Sequence, residues 1–102
     1  MQYKPRTGKE SELGNLVKDH LPTLKEYGLA TDRDGYVAKS TDGTFIEVFE
    51  WASSEAKDAA HEHPAIAMIW EKMASVSDFT TMADLPEAEM RFPNFDILTL
   101  TL

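Results

Sequence analysis

Apolar residues recur every three or four positions in two long stretches of the chain, and this is the spacing of an amphipathic helix. The first stretch covers about residues 8–27, and Thr7 and Glu10 match a capping box at its start. The second stretch begins after Ser53, a favourable N-cap residue, and continues to about residue 76. The pattern therefore predicts two helices.

A two-residue alternation, typical of β-strands, dominates the stretch "GYVAKSTDGTFIEVFEW" at residues 35–51. Two runs of β-branched and aromatic residues flank Asp42-Gly43, the signature of a two-residue type I′ hairpin. With that loop, Thr41 lies opposite Thr44, and one face carries Tyr36, Ala38, Phe45, Glu47, Phe49 and Trp51. The other face carries Val37, Ile46 and Val48 together with Lys39 and Glu50. Both faces are substantially apolar, so we expect both to be covered.

Three further segments predict strands: "MQYKP" at the start, residues 78–85, and "FDILTLTL" at residues 95–102. In the last segment, one side of the strand carries Leu98, Leu100 and Leu102. The order of elements predicts a single α+β domain over residues 1–102, with the ferredoxin-like βαββαβ plan, an antiparallel sheet and both helices on one face. The other face is apolar and uncovered within one chain, which predicts a homodimer through this sheet face.

The composition restricts the classes of partner and chemistry. There are 10 Lys and Arg against 18 Asp and Glu, giving a net charge of −8. This balance argues against binding to nucleic acid or to an anionic membrane surface. The chain has no cysteine, which excludes disulfides, thiolate nucleophiles and Cys-ligated metal centres. No apolar run approaches the length of a membrane span, and the first ten residues lack a signal-peptide core, so we expect a soluble cytoplasmic protein.

The strand end "FIEVFEW", the capped helix start "SSEAKDAAH" and the following "HPAI" with Trp70 together resemble the antibiotic biosynthesis monooxygenase-like family. The resemblance is densest over residues 36–76 and implies a dimeric α+β barrel. Members include cofactor-independent oxygenases of aromatic polyketides and quinols, and haem-degrading oxygenases. Trp51 matches the tryptophan that often closes the third strand, and His61 roughly matches a histidine in the second helix.

The chain also departs from that family's pattern. Phe49 stands where many members have a glutamate, and the acids of this strand are Glu47 and Glu50 instead. The haem-degrading branch fits less well, because the first strand has no asparagine and no histidine follows His63. The resemblance implies a reaction that needs neither metal nor flavin, since the deprotonated substrate itself supplies electrons to oxygen.

The three histidines are the candidates for acid–base chemistry. On a helix, His61 and His63 lie about 200° apart, so they cannot chelate one metal ion together, and no metal site is predicted. The helical stripes place His63 and His20 inward, and Pro64 and Pro22 follow them within two residues, each predicting a kink. Both imidazoles then line one cavity between helices and sheet. The structural alternative is that each one only hydrogen-bonds a backbone group freed by its proline, with His61 on the solvated surface.

We take His63 or His61 as the catalytic proton acceptor. The predicted substrate-binding residues are His20, Tyr36, Trp51, Trp70 and Glu47. The aromatic members suit a planar ligand, although aromatics on such faces are more often core. Glu47 is either a buried unpaired carboxylate with a functional role or, if it lies at the dimer interface, the partner of a cation such as Lys39 or an arginine.

Three functional hypotheses follow. The first is a cofactor-independent monooxygenase-like enzyme that acts on an aromatic or quinol-type substrate. The second is a non-catalytic homodimer of the same fold that binds a small apolar ligand or has a regulatory role. The third is a dimer without a pocket that serves a larger assembly. A cavity touched by His20 or His63 favours the first two, and a fully packed interior favours the third.

Overall fold

The computed structural model describes residues 1–99, which form an α+β fold of three helices and one five-stranded antiparallel sheet. The strands are β1 Gln2–Pro5, β2 Tyr36–Lys39, β3 Phe45–Val48, β4 Ser77–Thr80 and β5 Asp96–Leu98. The helices are α1 Glu10–Glu26, α2 Ser54–Ala60 and α3 Pro64–Val76, and a short 3-10 helix covers Met82–Asp84. The strand order is β4-β1-β3-β2-β5, and every neighbouring pair is antiparallel. The predicted α+β class and antiparallel sheet are confirmed.

Helix α1 begins two residues later than predicted, and the predicted capping box of Thr7 and Glu10 is not formed. Lys9 is the N-cap residue, and no side chain caps the helix there. Instead, a backbone turn closes the start, in which the N–H of Lys9 donates to the carbonyl of Arg6 at 2.9 Å. Glycine at position 8, with φ of +78°, allows this turn. Glu10 lies in the first helical turn, where a negative charge favours the helix dipole.

The predicted second helix is in fact two helices. The Ser53 cap is confirmed, because its side chain accepts a hydrogen bond from the N–H of Ala56 at 3.0 Å. Helix α2 ends at Ala60, whose carbonyl accepts from the N–H of His63 at 3.2 Å. Helix α3 then begins at Pro64. Proline is well tolerated in the first turn of a helix, where its missing N–H is not needed, but it interrupts a helix interior.

The hairpin between β2 and β3 has a different register from the predicted one. Ser40, rather than Thr41, pairs with Thr44, so the loop has three residues, Thr41–Gly43, and Gly43 adopts φ of +89°. Asp42 holds this loop by accepting from Ser40 Oγ and from the N–H of Thr44, and the Ser40 hydrogen bond lowers the pKa of Asp42 to about 2.

The altered register exchanges the two faces of β2, since a one-residue slip reverses every side chain. Val37 pairs with Glu47, and Lys39 pairs with Phe45, so these four residues share a face. Tyr36 and Ala38 lie on the opposite face with Val48 and Ile46. The prediction that Tyr36 shares a face with Glu47 is therefore wrong.

The main core lies between the helices and one face of the sheet. One cluster joins α1 and α3 to β1 and β3 through Tyr3, Leu13, Val17, Phe45, Met73 and Val76. A second cluster lies at the end of α1 and brings in α2 and the loop before β2, through Leu24, Leu29, Ala30, Ala60 and Ile66. Helices α1 and α3 thus cover the same face, as predicted.

The opposite face of the sheet is partly covered by the chain itself, so the prediction that this face is uncovered within one chain is wrong. Leu85 is buried against Ala38 and Ile46, and Phe95 packs beside them, so the segment between β4 and β5 covers the middle of this face. Tyr36, Val48 and Ile97 remain exposed on it.

Strand β4 is shorter than the pattern predicted. Strand β4 ends at Thr80, and the predicted continuation to residue 85 is replaced by the 3-10 helix. Strand β5 pairs with β2 over three residues. The predicted positions of Leu100 and Leu102 lie outside the described residues. Within residues 1–99, no helix has the length and apolar character that a bilayer crossing requires.

Candidate functional site

A chain of four hydrogen-bonded side chains runs through the main core and joins four elements of the fold. Trp70 of α3 donates its indole N–H to Nε2 of His20 on α1 at 2.9 Å. Nδ1 of His20 lies 2.7 Å from Oε1 of Glu47 on β3. The hydroxyl of Tyr3 on β1 donates to the same Oε1 at 2.8 Å. His20, Glu47 and Tyr3 are all buried, so the network is shielded from water.

The geometry determines which nitrogen of His20 carries a proton. An indole N–H can only donate, so Nε2 of His20 accepts and is unprotonated. The proton therefore lies on Nδ1 and is donated to Glu47, which makes the imidazole neutral. Oε1 of Glu47 accepts from both His20 and Tyr3, as a carboxylate does. Burial raises the pKa of the Tyr3 hydroxyl, and the charge and hydrogen bond of Glu47 raise it further.

The second oxygen of Glu47 is the unusual atom of the site. Oε2 is buried and has no hydrogen-bond partner within residues 1–99. Leaving a buried polar atom unsatisfied costs about 1–3 kcal/mol, so most such atoms have a partner or a purpose.

A cavity of about 160 Å³ lies beside Glu47, between α1 and the hairpin. Its lining is mostly apolar and consists of Val17, Lys18, Leu21, Pro22, Tyr36, Val37, Glu47 and Val48. An engineered apolar cavity of about 150 Å³ can hold benzene, so this space suits a single ring. A carboxylate in an apolar, ring-sized space can bind a small ligand and exchange a proton with it.

Of the predicted substrate-binding residues, the structure brings His20, Glu47 and Trp70 into direct contact. Tyr36 reaches the same cavity from the opposite face of the sheet, with 54% of its surface exposed. Trp51 does not join the network, and its ring packs edge-on against Phe49 at 4.9 Å between centroids. Within the single chain Lys39 does not pair with Glu47, since Lys39 Nζ lies 3.7 Å from Glu10 instead.

The two histidines predicted as proton acceptors lie at the junction between α2 and α3. His63 is the N-cap of α3, where its Nδ1 accepts from the N–H of Ala65 at 3.2 Å and its ring lies 4.2 Å from that of Tyr27. His61 is exposed and contacts the edge of Trp70, with 5.0 Å between ring centroids. Neither histidine lines the cavity beside Glu47, and His20 does not line it either, so the predicted cavity shared by His20 and His63 is not formed there.

Tyr3 is a member of the network that the sequence analysis missed. It pairs with Phe45 across β1 and β3, which places it on the face that carries Glu47. The signal was present in the alternation of the first strand, where a tyrosine sits between two polar residues. This signal identifies Tyr3 as a site residue only once β1 is known to pair with β3.

No metal centre is formed by the part of the chain that the structure describes, since no three His, Asp or Glu side chains there lie close enough to hold an ion. No family model, no curated protein and no solved structure is significantly similar to this chain. The site's own geometry is therefore the basis for assigning a function.

Proposed function

We propose that this protein is a cofactor-independent, monooxygenase-like enzyme that acts on a small aromatic or quinol-type substrate. The observation that carries the proposal is the buried carboxylate of Glu47, a residue that lines a ring-sized cavity, with one oxygen held by His20 and Tyr3 and the other without a partner. In this proposal Glu47 takes the role of proton acceptor that the sequence suggested for His61 or His63.

The fold supports this proposal at the level of architecture. We infer that the strand order β4-β1-β3-β2, with α1 and α3 on one face, represents the ferredoxin-like plan with an added edge strand. Exposed Tyr36, Val48 and Ile97 on the other face support a homodimer through that face. This is the dimeric α+β barrel implied by the resemblance to the antibiotic biosynthesis monooxygenase-like family.

The reaction needs only dioxygen as co-reactant. Oε2 of Glu47 accepts the phenolic proton of a bound quinol, and the resulting quinolate gives one electron to dioxygen. The two radicals recombine with formation of a C–O bond at a ring carbon, and Glu47 returns its proton to the peroxide. The Glu47 carboxylate then removes the hydrogen of that ring carbon as the O–O bond breaks, and the hydroxide that leaves takes this proton to become water. Quinol and dioxygen thus yield a hydroxyquinone and water, and the quinol supplies all the electrons.

The network around Glu47 suits this role. His20 and Tyr3 hold Oε1 from two directions, so the carboxylate is fixed in orientation before substrate binds. Because neither donor reaches Oε2, that oxygen keeps its lone pairs for the substrate proton.

Oxygen uptake with a panel of single-ring quinols tests the proposal. We expect Glu47→Gln to lower the enzyme-dependent rate by about 10²–10⁴-fold, because the amide cannot accept the proton. Glu50→Gln, an exposed glutamate three residues further along, is the matched control and should retain the wild-type rate. Equal rates in the two variants contradict the role of Glu47.

Two further outcomes separate the alternatives. Loss of activity in His61→Ala or His63→Ala, with activity retained in Glu47→Gln, would return the role of base to the histidines. Quinol binding by calorimetry without oxygen uptake would favour the non-catalytic ligand-binding homodimer. Sedimentation equilibrium at micromolar concentration tests the dimer independently, and a monomer there contradicts it.

A further inference from the structure

A second buried carboxylate lies in the segment between β4 and β5. Glu87 is only 2% exposed, and its Oε2 accepts a hydrogen bond from the backbone N–H of Thr41 in the hairpin loop at 2.9 Å. Its Oε1 is buried and has no partner within residues 1–99. No ion pair in this part of the chain involves Glu87. Glu87 is therefore held through one carboxylate oxygen, while the other oxygen has no hydrogen-bond partner there.

A cavity of about 250 Å³ lies beside Glu87. Buried Leu85 and Glu87 form its inner side, whereas Met82 and Met90 are more than half exposed and form its rim. The remaining lining comes from Ala83, Ala88, Pro93 and Phe95. Apart from Glu87, these side chains are apolar, and the thioethers and the phenyl ring are polarisable. The volume lies somewhat below the ~300 Å³ of the smallest drug-sized pockets, so it suits a ligand of one ring or a short alkyl chain.

We propose that this cavity binds a small organic ammonium ion. The ammonium group donates to Oε1 of Glu87 and neutralises its charge, and the apolar body of the ligand contacts Met82, Met90 and Phe95. A ring face next to a cation adds a favourable cation–π contact. This site is separate from Glu47 and does not depend on the proposed oxygenase activity.

The lining distinguishes this ligand class from others. A hard cation such as Ca²⁺ needs six or more oxygen ligands, and one carboxylate among methyl, phenyl and thioether groups does not provide them. An anion would be repelled by Glu87. A neutral apolar ligand would fill the space but leave the buried carboxylate unneutralised.

Titration with benzylammonium chloride, followed by NMR or calorimetry, tests the proposal, with benzyl alcohol as the uncharged probe of the same shape. We expect the wild type to bind benzylammonium about 10- to 100-fold more tightly than benzyl alcohol, the range expected for a charge-assisted hydrogen bond. Glu87→Gln should remove that preference and leave benzyl alcohol binding unchanged. Glu89→Gln, an exposed acid two residues away, should bind like the wild type.

A second variant keeps the test decisive if Glu87→Gln does not fold. Ala88→Phe fills the cavity without altering the carboxylate and should abolish binding of both probes. Equal affinity of the wild type for the two probes, or no binding of benzylammonium, overturns the proposal. A different result also overturns it: benzylammonium does not bind, and Glu87→Gln converts a dimer to a monomer. The cation that pairs with Glu87 would then be a lysine or arginine of a second copy of the chain.

Discussion

The indole N–H of Trp70 donates to Nε2 of His20 at 2.9 Å, although the two residues lie 50 positions apart in the sequence. This single contact determines the tautomer of the imidazole, and the tautomer determines that Nδ1–H faces Glu47. A tryptophan on α3 therefore controls the hydrogen bonding of a carboxylate on β3 through a histidine on α1. Through these contacts the network links α1 and α3 to the sheet.

Replacement of Trp70 by phenylalanine should cost more stability than the loss of aromatic packing alone. The variant leaves Nε2 of His20 buried without a donor, which adds about 1–3 kcal/mol to the loss in free energy of unfolding. Trp51→Phe is the control, because it removes the same atoms from another partly buried tryptophan. Urea denaturation of both variants measures the difference. Equal losses would mean that the hydrogen bond to His20 contributes no net stability.

Tyr3 should make the stability of the protein fall at alkaline pH. Its folded-state pKa is raised by burial and by Glu47, whereas in the unfolded chain it ionises near 10.0. The folded state keeps a proton that the unfolded state releases, so this contribution is fully present below about pH 10 and decreases as the pH rises above it. The slope due to Tyr3 approaches about 1.4 kcal/mol per pH unit.

Urea denaturation between about pH 8 and pH 11 measures this slope. Tyr3→Phe should remove most of it, and exposed Tyr36→Phe should retain it. A wild-type slope in the Tyr3→Phe protein would show that the hydroxyl of Tyr3 ionises as easily in the folded state as in the unfolded state.

His63 should stabilise the protein as a helix cap. Its Nδ1 accepts from the N–H of Ala65 at the start of α3, so His63→Ala should lower the free energy of unfolding by about 1 kcal/mol. His63→Asn should restore most of this loss, since asparagine is a favourable N-cap residue. His61→Ala is the matched control at the exposed neighbour. Thermal denaturation of the three variants tests the assignment, and similar values for His63→Ala and His61→Ala would contradict it.

The sequence predicted structure well where local periodicity determines it. It predicted less well where side-chain hydrogen bonds select between alternative loops. Apolar spacing predicted both helical regions, and alternation predicted the hairpin strands. The hairpin register was missed because Asp42 accepts hydrogen bonds from Ser40 and Thr44, which stabilises a three-residue loop over the two-residue loop that Asp-Gly usually favours. The split before α3 was missed although Pro64 signals a helix start as readily as a kink.

The residues of the candidate site were also predicted only in part. The helical patterns placed His20 and Trp70 on inward faces, the strand pattern placed Glu47 on the aromatic-rich face of the hairpin, and the structure joins the three. Contacts between residues that lie 27 and 50 positions apart depend on how helices and strands pack, which periodicity does not encode. The cavity beside Glu87 was not predicted, because residues 86–94 carry neither a helical nor a strand pattern and residues 82–85 were assigned to a strand.

Two glycines should respond in opposite directions to replacement by alanine. At Gly35 an added Cβ would lie 2.6 Å from Cδ2 of Leu21 and 2.8 Å from the carbonyl oxygen of Val48. The leucine side chain can move, but the carbonyl belongs to β3 and is held by the sheet. We therefore expect Gly35→Ala to lower the free energy of unfolding by about 1–3 kcal/mol, as overpacking does.

At Gly14, inside α1, the nearest atom to an added Cβ is a ring carbon of Phe45 at 4.0 Å, which is an ordinary contact. Gly14→Ala should raise the free energy of unfolding by about 0.5–1 kcal/mol, because alanine loses less backbone entropy than glycine when it becomes helical. Urea denaturation of both variants gives the two signs under identical conditions. A neutral Gly35→Ala would mean that the loop before β2 lies farther from β3 than described, and the end of the cavity beside Glu47 that Leu21 and Val48 line would then be wider.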